Sequence, residues 1–129
     1  LLGQEVEKED RGESQMARIM AKHRFARIAA TKVRPFADLI RNQPAGEGLL
    51  LLKYAPNRGA RMIEKVLKSA IANCEDRGAR NVDSLKIVEC CVDGGPMFKR
   101  MLPRSRGMAN VIRRRFAHIR VVIDVPELA

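Results

Sequence analysis

Residues 94–123 contain no aspartate or glutamate, yet they hold Lys99, Arg100, Arg104, Arg106, Arg113, Arg114, Arg115 and Arg120. Eight like charges packed this closely repel one another in an isolated chain, and phosphates would neutralise them. The segment also limits the fold. Interrupted by Gly94-Gly95-Pro96, Pro103 and Gly107, it cannot form one continuous helix. If both sides are extended, with the turn near Pro103-Arg104-Ser105-Arg106-Gly107, each arm has roughly ten residues and reaches about 30 Å. A domain of this size has a radius of gyration near ~14 Å, so such an arm projects beyond the globule. A two-stranded ribbon is marginal alone in water, and something outside the chain must hold it. The bland alternative is a basic loop without fixed structure in the free protein, which would still fold on binding.

Met97, Phe98, Met101, Leu102, Met108, Val111 and Ile112 interleave with these cations and offer apolar contact to bases and sugars. Arginine suits the task because its planar fork grips phosphate and stacks on bases. The aromatics are few: Phe25, Phe36, Tyr54, Phe98 and Phe116. No pair of them is expected on one sheet face, which argues for a reader of folded RNA shape over one that stacks successive bases.

The rest of the chain carries the fold. Its 129 residues suit one domain, and 46% hydrophobic residues suffice for a core. The formal charge of +10 asks for a polyanionic partner. It is unevenly spread: residues 1–15 sum to −3 and the remaining 114 to +13. The expected division is an acidic tail over residues 1–20 and one domain over 21–129, including an extended hairpin at about 94–118. No stretch approaches the roughly 20 apolar residues of a membrane span. No signal-peptide pattern follows Leu1-Leu2-Gly3-Gln4-Glu5, and the opening Leu fits a trimmed or processed start. Cys74, Cys90 and Cys91 are odd in number and form no C-x-x-C pair, which suits a reducing compartment and a role as small apolar residues. With only His23 and His118 as further soft ligands, no metal and no cofactor is expected.

The alternation over residues 22–30 predicts a strand. Thr31 is placed as the N-cap of a helix through Arg41, with Val33, Phe36, Ala37 and Ile40 on its core face and Arg34 placed to pair with Asp38. Pro35 is tolerable there only inside the first turn. A loop at 42–46 and a short helix at 47–54 follow. The strongest helix runs over 58–77, its stripe formed by Ile63, Val66, Leu67, Ala70, Ile71 and Cys74, with Asn57 as N-cap and Gly78 as stop. Residues 85–93 are apolar on both faces and read as a central strand. Ala117, Ile119, Val121 and Ile123 alternate with His118, Arg120, Val122 and Asp124 in a half-buried strand. The expected class is α+β: three helices packed on a small antiparallel three-stranded sheet, with a long protruding β-hairpin.

Other functions lack their signatures. Gly94-Gly95 and Gly46-Glu47-Gly48 do not have the spacing of a phosphate loop. Ser69 and Ser105 have no histidine in a recognisable motif, Asp93 reads as turn chemistry, and His118 reads as a strand residue with a satisfied hydrogen bond, so an enzyme is not expected. A free-standing nucleic-acid regulator would show a helix-turn-helix or a dimerising heptad. A membrane-surface peptide would need one unbroken amphipathic helix.

Several segments in order resemble the large-subunit ribosomal protein L-twenty-two family over residues 21–125. They are Arg27-Ile28-Ala29-Ala30-Thr31-Lys32-Val33-Arg34, Ala37-Asp38-Leu39-Ile40-Arg41, Val66-Leu67-Lys68-Ser69-Ala70-Ile71-Ala72-Asn73, Gly95-Pro96-Met97-Phe98-Lys99-Arg100-Met101-Leu102-Pro103-Arg104-Ser105-Arg106-Gly107 and His118-Ile119-Arg120-Val121-Val122-Ile123. The resemblance implies a structural constituent of the large subunit that binds its 23S-type rRNA and supports assembly. It implies a body near the tunnel exit beside other ribosomal proteins, and a hairpin tip that lines the nascent-peptide tunnel. Lys32, Arg34, Lys99, Arg100, Arg104, Arg106, Arg113, Arg114, Arg115 and Arg120 become the RNA-binding set. Met101, Leu102, Pro103, Arg104, Ser105, Arg106, Gly107 and Met108 become the tip, meeting the nascent peptide transiently. No homo-oligomer is expected, and the setting is a cytoplasmic ribosome, with an organellar one as the second reading. The chain departs from the family at Ala29-Ala30, where Ser-Pro is frequent, at Met108 and Val111, where arginine is common, and at Phe116-Ala117, which replaces a polar pair.

Overall fold

The computed structural model describes residues 17–125. The acidic head therefore lies outside the described residues, except that residues 17–20 belong to the first strand. Six main elements run in the order β1 (Ala17–Ala26), α1 (Ala30–Ile40), α2 (Ala45–Tyr54), α3 (Arg58–Asp76), β2 (Ile87–Pro103) and β3 (Ala109–Val125). Short 3-10 turns occupy Val82–Ser84 and Ser105–Gly107. The three strands form one antiparallel sheet in the order β1-β3-β2; α1 and α3 pack on one face of it, and α2 packs against those two helices. The expected α+β class is therefore the observed one.

The core follows the side-chain periods. Along β3, Ala117, Ile119, Val121, Ile123 and Val125 are buried, as alternation requires of a strand with one face on the core. From α3, Ile63, Val66, Leu67, Ala70 and Cys74 meet them, with Ile71 packed at the margin. That helix stops as its sequence demands. Gly78 takes φ +86, its N–H donates to the Glu75 carbonyl at 2.9 Å, and the Ala79 N–H donates to the Cys74 carbonyl at 3.1 Å. This paired closure satisfies carbonyls that the helix end would otherwise leave open. Cys74 and Cys90 are core residues, and burial pushes the Cys90 thiol up to about 12.

Several expectations need correction. The first strand begins at Ala17 and ends at Ala26, where Phe25 turns the chain at φ 59. Helix α1 starts at Ala30 with Ala29 as its cap, two residues ahead of the expected cap Thr31, so Pro35 sits in the second turn and removes an interior hydrogen bond. Asp38 pairs with Arg41 at 2.8 Å, not with Arg34. Asn57 holds the cap position of α3, but its side chain makes no cap hydrogen bond. Asp93 and Gly94 are strand residues registered on His118 and Ala117, so no turn forms there.

The largest correction concerns β2, which is an edge strand and not the central one. A one-residue bulge between Ile87 and Glu89 shifts its phase, so that Ile87, Cys90 and Val92 all face the core. Without the bulge, the same residues look like apolar positions on two faces. The outer edge is covered in two ways. Backbone bonds join Asn42 and Gln43 to Ile87, and Ala45 to Leu85, at 2.8–3.0 Å. Further along, the Arg41 guanidinium donates to the Cys90 carbonyl at 2.8 Å and Arg34 Nε to the Val92 carbonyl at 3.4 Å. Capping carbonyls with charged side chains is a common way to protect an edge from stray pairing.

Candidate nucleic-acid interface

Both long strands run out of the body without a break, and their outer halves make the hairpin. A second bulge, between Gly94 and Met97, marks where the ribbon leaves the sheet. Beyond it the pairing is regular, from Met97 opposite Arg115 to Pro103 opposite Ala109. The tip closes through Arg104 N–H to the Met108 carbonyl at 2.6 Å, with Arg106 at φ 61 and Gly107 at φ +70. Gly107 accepts that left-handed backbone at no steric cost. Ten residues from 94 to 103, at about 3.3 Å each, carry the tip roughly 30 Å from the root.

Register decides which cations share a face. Met97, Lys99, Met101, Arg115, Arg113 and Val111 alternate onto one side of the ribbon. Phe98, Arg100, Leu102, Phe116, Arg114 and Ile112 fall on the other. Nearly all of these side chains are exposed, while Leu102, Ile112 and Phe116 are half-buried. Phe98 and Phe116 meet edge to face, their ring centroids 5.3 Å apart, against the expectation that no two aromatics share a sheet face. The Arg100 guanidinium lies 5.3 Å from the Phe98 centroid, within cation–π reach.

At the hairpin root the body contributes a second wall. A cleft of about 700 Å³ is lined by Arg27, Ile28, Ala29, Lys32 and Arg58 from the body, and by Phe98, Arg100, Arg113, Arg114, Arg115 and Phe116 from the ribbon. Among the described residues, seven cations line it and no acid does. Two helix starts converge here, because α1 and α3 cross closely enough that a Cβ on Gly59 would come within 2.9 Å of the Lys32 carbonyl. Neither helix has an acidic residue in its first turn, and neither cap residue bonds through its side chain. The orphan N–H groups and the positive dipole ends therefore add to the field of the side chains. Such a cleft is built to hold an anion chain. Gly59→Ala is expected to destabilise the fold by about 1–3 kcal/mol in urea denaturation, because backbone and not a flexible side chain blocks the added methyl.

The expected RNA-binding set is thus divided. Lys32, Arg100, Arg113, Arg114 and Arg115 come together in the cleft. Lys99 is exposed and registered on Arg113 along the arm, and Arg104 and Arg106 sit on the tip turn. Arg34 lies on the other side of the root, in a smaller hollow with Gly94, Gly95, Met97 and Arg115. Arg120 belongs to the body: its Nη2 donates to Glu89 Oε2 at 3.2 Å and contacts Cys91 Sγ at 3.9 Å. The Cys91 contact, offset in part by desolvation and aided by Glu89, holds its pKa above the ordinary guanidinium value. Arg27 and Arg58 were not anticipated. The lack of any acid in the first turn of α3, directly after Asn57, was the available signal for Arg58.

His118 is the hinge of the root. Its Nδ1 accepts the Phe25 N–H at 3.1 Å, and the two rings meet edge to face at 5.0 Å. This contact fixes the chain where β1 hands over to Arg27 and the start of α1.

The architecture defines a class: a small α+β body that projects a long basic ribbon. Residues 21–124 match the family model described as Ribosomal protein L22p/L17e. Among the relatives, Large ribosomal subunit protein uL22 of Rhodopirellula baltica is 51% identical over 111 residues, covering 82% of this chain and 93% of the relative. Its namesake from Caldicellulosiruptor saccharolyticus is 48% identical over 122 residues, covering 95% and 100%. The chain belongs to the ribosomal protein L22p/L17e family, and is a structural constituent of the large ribosomal subunit, not an enzyme.

Proposed function

We propose that this chain holds large-subunit rRNA in the cleft at the hairpin root and along both arms, and supports assembly of the subunit. The observation that carries the reading is the convergence of seven cations, from the start of α1, the start of α3 and both arms of the ribbon, on one cleft that no acid lines among the described residues. Phosphates along an RNA backbone supply the counter-charges, and each contact releases condensed counterions. The arms extend that track outward through Lys99 and Arg113. Neighbouring ribosomal proteins near the tunnel exit flank the body, and the tip, from Met101 to Met108, faces the nascent peptide in the tunnel. The setting is a ribosome in a bacterial cytoplasm.

Binding of the purified chain to large-subunit rRNA, followed by filter retention across a salt series, tests the reading. Tight binding at low salt that falls steeply as salt rises is the expected result, and affinity independent of salt would sink it. The tip separates from the grip. Deleting residues 102–104 is expected to leave rRNA affinity within about threefold of the parent, because it removes only Arg104 from the phosphate-facing set. Ribosomes carrying the shortened chain should change their response to tunnel-binding macrolides. An unchanged response would count against the placement of the tip.

A further inference from the structure

The cleft contains a feature that phosphate binding does not need. Phe98 is registered on Arg114, so Phe116 lies diagonally across the ribbon on the same face, near enough for the two rings to meet edge to face. Phe116 is half-buried and braced at the root, whereas Phe98 is 51% exposed and lies in the cleft wall. Other large apolar side chains of the chain are exposed as well, and what sets this ring apart is its place in the wall of a cationic cleft. The Arg100 guanidinium, 5.3 Å from its centroid, already lays a planar group over this face, and a base would take that place by displacing an exposed, mobile side chain. Arg27, Lys32 and Arg114 line the same cleft as ready phosphate partners.

We propose that Phe98, backed by Phe116, is a stacking platform for one unpaired nucleobase of the bound RNA. The adjoining cations take the phosphates on either side of that nucleotide. This rests on the RNA-binding reading and adds a ligand class to it: a nucleotide lifted out of the helix, not duplex backbone alone. Every base has a π-face, so the platform selects for an unstacked base and not for a particular sequence. Ile28 and Ala29, which also line the cleft, supply an apolar floor suited to a base and useless to a phosphate.

The test uses the full chain and two single-stranded RNA probes of about eight nucleotides, within the usual site size for such grooves. One is oligoadenylate. The other is the same sugar-phosphate chain without bases, equal in charge. The intact probe is expected to bind roughly tenfold more tightly, the gain typical of stacking one base on an aromatic ring. Phe98→Leu should remove most of that gain while leaving the abasic affinity and both salt slopes unchanged, and Phe98→Tyr should keep it. The proposal is overturned if Phe98→Leu leaves the intact probe unaffected, or weakens both probes alike. Equal binding of both probes by the parent chain sinks the stacking platform alone. Failure of both probes to bind at low salt sinks the RNA-binding reading with it.

Discussion

Replacing Arg113, Arg114 and Arg115 together by alanine is expected to flatten the dependence of log affinity on log salt by up to about 2 units, at roughly 0.7–0.9 for each phosphate no longer neutralised. Successive strand residues alternate between faces, yet all three of these side chains line the cleft. Among the described residues none of them forms an ion pair, so the substitution breaks no internal interaction of that kind. Exposed positions of this sort change stability by no more than about 0.5 kcal/mol each. The effect should therefore appear in RNA binding and not in the unfolding midpoint. A slope equal to that of the parent would mean that these arginines face away from RNA.

Leu67→Ala is expected to lower the unfolding free energy by about 2–5 kcal/mol, the range for a buried leucine whose cavity cannot collapse. Leu67 is fully buried where four elements meet. A Cβ built on Gly48 of α2 would touch Ile87 of β2 at 3.0 Å, Leu67 of α3 at 3.4 Å and Ile40 of α1 at 3.7 Å. None of these elements can follow the vacated volume without releasing the other three. A melting temperature lower by roughly 8 °C or more should accompany the change in a domain of this size. A drop smaller than about 1 kcal/mol would contradict the packing described, since even a well-relaxed leucine deletion costs more. The salt slope of the surviving folded protein should stay that of the parent, which separates this effect from the arginine result.

The elements legible in the sequence are those whose signal is local. The stripe of α3 and its stop at Gly78 depend on residues within one helix, and both are found as expected. So does the alternation of β3. The position of β2 at the edge was hidden, because a one-residue bulge changes which side chains share a face without changing composition. The partner of Arg34 was missed for a related reason. A carbonyl on β2 competes with the aspartate one turn away, and sequence spacing sees only the second.

The interface divides in the same way. The acid-free arms could be read directly, as could the tip turn at Gly107. The cleft could not, because Arg27, Arg58 and Arg114 lie in separate segments that the β1–β3 pairing and the packing of α1 on α3 together bring to one place. The phenyl pair depends on register: Phe98 and Phe116 are 18 positions apart, and only the placement of the Gly94–Met97 bulge sets them diagonally. Arg120 was legible as a cation of the basic run, while its pairing with Glu89 at 3.2 Å depends on strand register.

Ultraviolet cross-linking of assembled large subunits, followed by mapping of the cross-linked peptides of this chain, tests the central claim most directly. Cross-links to rRNA are expected to fall on residues 97–101 and 111–116, with a second group on the body wall at Arg27, Lys32 and Arg58. Cross-links confined to the outer surface of α2, around Leu50 and Tyr54, with none on the hairpin root, would contradict it.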